Sequence, residues 1–203
     1  MNPSTASGGR IEMRGMIPKR LVVYNAAMAP LNPFNLNRWI DEHRELLKPP
    51  IGNAVVWQDS EYHVMVIGGP NCRRDFHIDP ADEFFHQLEG DMVLEYIDAA
   101  GKRQRAEIKQ GDVMLLPANV PHSPQRGAGS VGMVLERKRH PDEPDGFAFY
   151  CERCDNKLHE TRIGVNDIVA DLPNVLDGFN ASQALRTCSA CSYVQPVATG
   201  PRL

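Results

Sequence analysis

The sequence predicts an all-β protein, a sandwich or small barrel, with an amphipathic helix ahead of it and a cysteine-bearing segment behind. Three observations carry this. Between Gly52 and Arg139 the runs NAVVWQ, YHVMVIGG, EFFHQLEG, DMVLEYID, RQRAEIKQ, DVMLLP and GMVLERK follow one another, most of them separated by Gly, Pro, Asn or Asp. Short runs punctuated by turn formers are strand signals, and many in succession suggest a sandwich or barrel. In RQRAEIK the side chains alternate, with Arg103, Arg105, Glu107 and Lys109 on one side and Gln104, Ala106 and Ile108 on the other, which is the period of a strand. No helical pattern separates successive strands, so a parallel sheet is not expected.

The flanks complete the layout. Residues 1–27 mix Ser, Gly, Pro and Arg without sustained periodicity, and are expected to be a disordered extension or an overextended start, with Met13, Met16 and Met28 as alternative starts. In NPFNLNRWIDEHRELLKPP, Trp39, Ile40, His43, Leu46 and Leu47 form an apolar stripe at helical spacing. Asn35 or Asn37 can cap this helix, and Pro49 and Pro50 end it. After residue 140, HPDEPDG reads as a turn-rich linker, followed by one short helix-like run, DLPNVLDGFNAS. The expected division is therefore an extension over 1–27, a β domain over 28–140 and a C-terminal segment over 141–203.

Composition narrows the function classes. The 203 residues are 42% hydrophobic and 24% charged, ordinary for one globular domain. A net charge of -4 and a pI near 6.0 argue against nucleic acid as the partner, because phosphate binding needs a basic surface. No apolar run approaches the ~20 residues that span a bilayer, and the start lacks the apolar stretch of a secretory signal. A cytoplasmic protein is the expectation.

Four of the five cysteines form two CxxC pairs, Cys151/Cys154 and Cys188/Cys191, separated by 33 residues. Two such knuckles can close one tetrahedral four-thiolate metal site. Spacing alone admits either zinc or iron. A thioredoxin-type redox pair would need one CxxC in a strand–helix context. Cys72 stands apart, near Arg73 and His77.

The stretch FHIDPADEFFHQLEG sets His77, Glu83 and Gly90 at fixed intervals, and GDVMLLPANVPH sets Gly111, Pro117 and His122. Two imidazoles and one carboxylate on one face make a mononuclear Fe(II) site with three positions left for substrate and O₂. The single carboxylate leaves such a complex with net positive charge, which favours an anionic chelating substrate. His43, His63, His86, His140 and His159 have no such company and are expected to be structural or exposed.

These two segments resemble the motifs of the cupins, H-x-H-x3/4-E-x6-G and G-x5-P-x-G-x2-H. The resemblance implies the cupin fold, a double-stranded β-helix or jelly-roll barrel. Asp79 stands where most cupins carry a second histidine, which suggests a three-ligand site with Asp79 turned from the metal. Asn119 replaces a glycine in a turn where Asn tolerates a left-handed backbone. More narrowly, LLPANVPHSPQR, WQDSEYHVMVIGGPN and GDMVLEYID, with the two CxxC pairs, resemble the 3-hydroxyanthranilate 3,4-dioxygenase family. The likeness is to its microbial form with a rubredoxin-like C-terminal site, over roughly residues 28 to 196.

That resemblance implies catalytic Fe(II) on His77, Glu83 and His122, and a second iron, or zinc, on Cys151, Cys154, Cys188 and Cys191. It implies 3-hydroxyanthranilate and O₂ as substrates. The hydroxyl and amine would chelate iron, and the ring would open between the two carbons that bear them. The product, 2-amino-3-carboxymuconate semialdehyde, would cyclise without enzyme to quinolinate, in tryptophan (kynurenine) catabolism or NAD biosynthesis. Arg126 would hold the substrate carboxylate, Arg73 would lie near O₂, Glu136 would hold the substrate hydroxyl or amine and accept its proton, and Asn53 would sit near the pocket mouth. Arg74 is the competitor for the role of Arg73, and a surface ion pair with Arg137, Lys138 or Arg139 is the alternative for Glu136. A homodimer is implied as well. Two rivals stay open: a cupin dioxygenase for another ortho-substituted aromatic acid, and a non-catalytic cupin that senses a small carboxylate.

Overall fold

The computed structural model of the protein describes residues 33–49, 52–57, 60–165 and 168–198, so the expectations for residues 1–27 lie outside the described residues. The strands are β1 Asn53–Trp57, β2 Tyr62–Gly68, β3 Asp75–Ile78, β4 Glu83–Glu89, β5 Met92–Ile97, β6 Arg103–Ile108, β7 Val113–Leu116, β8 His122–Arg126, β9 Val131–Arg137, β10 Asp145–Tyr150 and β11 Lys157–Ile163. They form two antiparallel sheets, ordered β1-β2-β9-β4-β7 and β11-β10-β3-β8-β5-β6. This two-sheet β architecture is the expected cupin barrel. Inward side chains from both sheets, Met65, Phe85, Met92, Leu94, Ile108, Leu116 and Val134, make the core between them. Other inward positions of β3, β4, β8 and β9 carry His77, Glu83, His122 and Glu136, all buried.

Turn chemistry sets the registers that bring these residues together. Gly90, at φ +60°, turns β4 into β5. Asn119 adopts a left-handed φ of 64° between β7 and β8, and its N–H donates to the Asp79 carbonyl at 2.7 Å. The position that most cupins give to glycine thus keeps its backbone conformation with a residue that tolerates it.

Four strands went unread in the sequence, and three of them bear on the site. β3 and β8 are short and carry the histidines. β10 falls beyond the expected boundary at residue 140, yet it pairs with β3 and sets Phe147 opposite His77. β11 pairs with β10 in turn, so the sheet that holds His77 extends through Ile163.

The first helix is shorter than its apolar stripe. α1 (Leu36–Glu42) is capped by Asn35, whose side chain accepts from the Arg38 N–H at 2.9 Å. It stops at His43, where the imidazole Nδ1 lies 2.7 Å from the Trp39 carbonyl. That carbonyl is the acceptor which the next α-helical hydrogen bond would use. The His43 N–H bonds instead to Ile40 at 3.2 Å, and the chain tightens into a 3-10 turn over Arg44–Leu47. Ile40 and Leu47 still reach the outer face of the first sheet, packing with Val56, Val66 and Val131. Near the C-terminus, α2 (Ile168–Ala181) lays Leu172, Leu176 and Phe179 onto Phe147 and Phe149 of β10, and α3 (Gln183–Arg186) follows. No helix among the described residues is long and apolar enough to cross a membrane.

Candidate metal centre and substrate pocket

His77, Glu83 and His122 come from three strands, and one donor atom from each lies within 4.8 Å of the others. β3 and β8 meet only where His77 faces His122, with ring centroids 5.4 Å apart. His122 Nδ1 lies 3.0 Å from the Val120 carbonyl. A carbonyl only accepts, so Nδ1 carries a hydrogen, and Nε2 is the nitrogen left to meet a proton or a metal. That Nε2 is 2.8 Å from Glu83 Oε2, an oxygen that is buried without a hydrogen bond. At this distance the nitrogen and the carboxylate oxygen need a proton or a metal cation between them. Burial disfavours charge on His122, but the Glu83 carboxylate outweighs it and the pKa rises. His77 donates Nε2–H to Asp145 at 2.6 Å, which fixes its ring and leaves the other nitrogen as donor.

The surroundings are also short of positive charge. Arg139 contacts Asp79, Glu136 and Asp145 at once, three carboxylates that are 2%, 6% and 0% exposed. Burial and the charge of Glu83 push the Asp79 carboxyl up to about 9, against the pull of Arg139. Burial also works against ionised Glu136, but hydrogen bonding from His63 and the Arg139 guanidinium hold it down at about 2. A divalent cation among His77, Glu83 and His122 would relieve this excess of acid. The donor set, two imidazoles and one carboxylate, suits iron of the oxygenase kind.

Arg126 faces the same interior, four residues along β8 from His122. It is 4% exposed, and among the described residues its guanidinium has only a long contact to Gln87 Oε1, 3.4 Å. Among the described residues no carboxylate pairs with it. Burial, and then the charge of Arg73, lower its pKa to about 10. Space for the guanidinium comes from Gly132 on β9, where a Cβ would stand 2.5 Å from Arg126 Nη1. The backbone of Arg126 is held by Asn71, which accepts from its N–H at 2.8 Å and donates to the Pro124 carbonyl at 2.9 Å. Pro124 has no N–H for a neighbouring strand, and β8 and β3 have parted there. Asn71 takes the place of the missing strand.

Arg73 and Arg74 separate cleanly. Arg73 turns inward, pairs with Asp75 and feels the charge of Glu83. Burial opposes its charge, yet Asp75 prevails and its pKa is raised. Arg74 points out, to Glu152 at 3.2 Å and the Pro196 carbonyl at 3.0 Å. Glu136 faces inward beside His63, 3.6 Å away, while Arg137 turns to Glu143. The ion pair with Arg139 is therefore a buried one. Asn53 is half-buried, its amide nitrogen 3.8 Å from Met65 Sδ and its Oδ1 buried without a partner. A cleft of about 300 Å³ lined by Arg74, Phe76, Glu95, Arg103 and Tyr150 shares Arg73 with the centre, but Phe76 faces away from His77 across β3.

Asp145 and Asn71 went unread in the sequence, as did the inward turn of Arg139 and the place of His63 beside Glu136. Asp145 lies in HPDEPDG, which reads as a linker, and Arg139 ends a run of basic residues that reads as surface.

Four of the five cysteines, Cys151, Cys154, Cys188 and Cys191, close a second cluster. Sγ separations are 3.6 Å for Cys151–Cys191, 3.6 Å for Cys154–Cys188 and 3.5 Å for Cys154–Cys191. These are far beyond a disulfide bond of about 2.05 Å. They are close to the ~3.8 Å edge of a tetrahedron with metal–sulfur bonds of about 2.3 Å. The two knuckles repeat one geometry. Asp155 and Ser192 each donate N–H to the first cysteine's carbonyl, at 3.0 and 2.9 Å, and each has a left-handed φ, 59° and 60°. The N–H groups of Cys191 and Ala190 oppose the burial that raises the Cys188 thiol and bring it down to about 6. The residues present fit a tetrahedral thiolate-bound metal.

The family model for 3-hydroxyanthranilic acid dioxygenase matches residues 28–180. The chain belongs to that family. A 3-hydroxyanthranilate 3,4-dioxygenase of Bacillus thuringiensis is 46% identical over 170 residues, 84% of this chain and 95% of the relative. The Burkholderia lata enzyme of the same name is 51% identical over 166 residues, 81% and 94% of the two chains. Among solved structures, a cupin-2 domain protein from Shewanella frigidimarina aligns with a TM-score of 0.42 at 18% identity, over 52% of this chain and 94% of that one. Membership in this dioxygenase family makes the chain an enzyme, with a ring-opening dioxygenase function.

Proposed function

We propose that the chain is an iron-dependent enzyme that adds both atoms of O₂ to 3-hydroxyanthranilate and opens its ring to 2-amino-3-carboxymuconate semialdehyde. Beyond family membership, one observation carries the reading: a buried guanidinium, Arg126, that has no carboxylate partner among the described residues and faces the interior shared by His77, Glu83 and His122. A buried unpaired charge is costly, and a substrate carboxylate on the guanidinium fork removes that cost.

Fe(II) on His77, Glu83 and His122 would, when bound, bring the substrate's heteroatoms and O₂ side by side. The chain's own residues do the rest. Arg126 fixes the ring by its carboxylate. Glu136, ionised and buried, accepts a hydrogen bond from the substrate hydroxyl or amine and so holds it in place. Arg73 offers a fixed positive charge where negative charge develops on dioxygen, and Asp75 holds it there. Asn53 offers its unpartnered Oδ1 to a donor such as the ring amine. The relatives' name corrects one expectation. A 3,4 cleavage breaks the bond between the hydroxyl-bearing carbon and its unsubstituted neighbour, not the bond between the two carbons that bear hydroxyl and amine.

The cluster of Cys151, Cys154, Cys188 and Cys191 is assigned a structural iron, with zinc as substitute. It clamps the C-terminal segment. A cytoplasmic homodimer completes the reading.

The test is anaerobic loading with Fe(II), then 3-hydroxyanthranilate and air, following the absorbance of the semialdehyde and the uptake of O₂. Rapid product formation is expected. No product from iron-loaded protein would reject the substrate. His122→Ala should lose catalytic iron and turnover while the cysteine-bound metal stays; retained turnover would remove His122 from the ligand set.

A further inference from the structure

Asp79 poses a problem that the ligand set leaves open. It occupies the position where most cupins carry a second histidine ligand. Carboxylates bind iron readily, and Asp79 offers an oxygen within 4.8 Å of a His77 nitrogen in one group, with Asp145, and within 4.8 Å of a Glu83 oxygen in another, with Glu136. Asp79 is thus placed to become a fourth protein ligand. A fourth ligand on a six-coordinate metal leaves two positions, whereas a chelating substrate and O₂ together need three.

Both Asp79 oxygens are engaged elsewhere. Oδ1 accepts from the Ala81 N–H at 2.7 Å, and Oδ2 pairs with Arg139 Nη2. The same guanidinium reaches Glu136 through Nη1 and Asp145 at 2.7 Å, and Asp145 orients His77. Arg139 is thereby fixed from three sides, its side chain only 11% exposed. A lysine ammonium is a point charge on a flexible stem and cannot hold three carboxylates in a fixed fork.

We propose that Arg139 is a positioning residue: it holds the Asp79 carboxyl group in place, keeps its oxygens off the metal, and so preserves three open positions for substrate and O₂. The inference rests on the proposed dioxygenase reading for its purpose, but not for its geometry.

The test uses the full-length, Fe(II)-loaded protein under anaerobic conditions, with nitric oxide as an EPR probe of the open positions. In the parent the nitrosyl–iron signal should shift when 3-hydroxyanthranilate is added. Arg139→Met should retain catalytic iron by metal analysis but show an altered signal without substrate. Its substrate affinity, titrated by the same signal, should fall about 10- to 100-fold, the range seen when a group orienting a metal ligand is lost. Adding Asp79→Asn to Arg139→Met should restore the parent signal, since the amide is a poor ligand, and Arg139→Lys should be intermediate. A parent-like signal in Arg139→Met overturns the proposal. So does a double variant that stays as altered as the single one. Should Arg139→Met fail to fold by circular dichroism, Asp79→Asn alone decides: an unchanged substrate-free signal supports the proposal, and a changed one makes Asp79 a ligand and overturns it. A parent signal that never responds to 3-hydroxyanthranilate rejects the substrate, while the substrate-free comparison still tests Arg139.

Discussion

Arg126 depends on its neighbours for its position, and they make the pocket testable one residue at a time. Gly132→Ala would put a Cβ 2.5 Å from Nη1 and 3.0 Å from Gln87 Oε1. The backbone there needs no glycine for its dihedrals, so the fold should survive while the guanidinium shifts. If Arg126 holds the substrate as proposed, KM should rise roughly 10- to 100-fold, since a misplacement of about 1 Å can cost about 100-fold, with Tm little changed. Arg126→Ala should cost a similar factor in KM and lower kcat as well, because charged hydrogen bonds of about 1.5–3 kcal/mol are lost; unchanged kinetics would remove it from the pocket. At this scale the sequence was legible where chemistry is local. His77 and Glu83 lie on one short motif, and His122 ends another. Asp79–Arg139, His77–Asp145 and Asn71–Arg126 join residues 60, 68 and 55 positions apart, and nothing in the local pattern of either partner marks the pairing.

The elements show a parallel divide. β2, β4, β5, β6 and β9 are long enough for their pattern to stand out, and their expected and observed spans agree within two residues at each end. β3 has four residues, β8 contains Pro124 and β10 begins Asp-Gly, so each offers a turn signal where the chain is extended. Tertiary pairing overrides those local preferences. α1 stops early because the His43 side chain takes a backbone acceptor, which an apolar stripe does not report. Asn35→Ala should cost about 1 kcal/mol through loss of the cap, read as a modest fall in unfolding temperature. Phe179→Ala should cost more, about 3–5 kcal/mol, because its ring stacks on Phe149 with centroids 3.7 Å apart. Thermal unfolding of both variants tests whether α2 is held by that contact.

For the whole molecule, the expected boundary at residue 140 misplaces the joint. The sheet that carries His77 and His122 also carries β10 and β11, and β10 runs directly into Cys151. Cys188→Ser should therefore lose about one metal equivalent and unfold at a lower temperature, with a protease cutting first between residues 151 and 198. A variant with full metal content and unaltered unfolding would show that the thiolates hold nothing of structural weight.

β10 also carries a parity. Asp145, Phe147 and Phe149 share one face, and Gly146, Ala148 and Tyr150 the other. Asp145 steadies His77 at one end of the strand, and Cys151 enters its knuckle at the other. Removing a single residue between them could not be absorbed by sliding, since sliding would exchange the faces. Asp145 would turn its carboxylate away from the imidazole or Cys151 would turn its sulfur away from the cluster. The number of residues between the two centres is thus fixed to an even or odd class, and a length change here would have to come in steps of two.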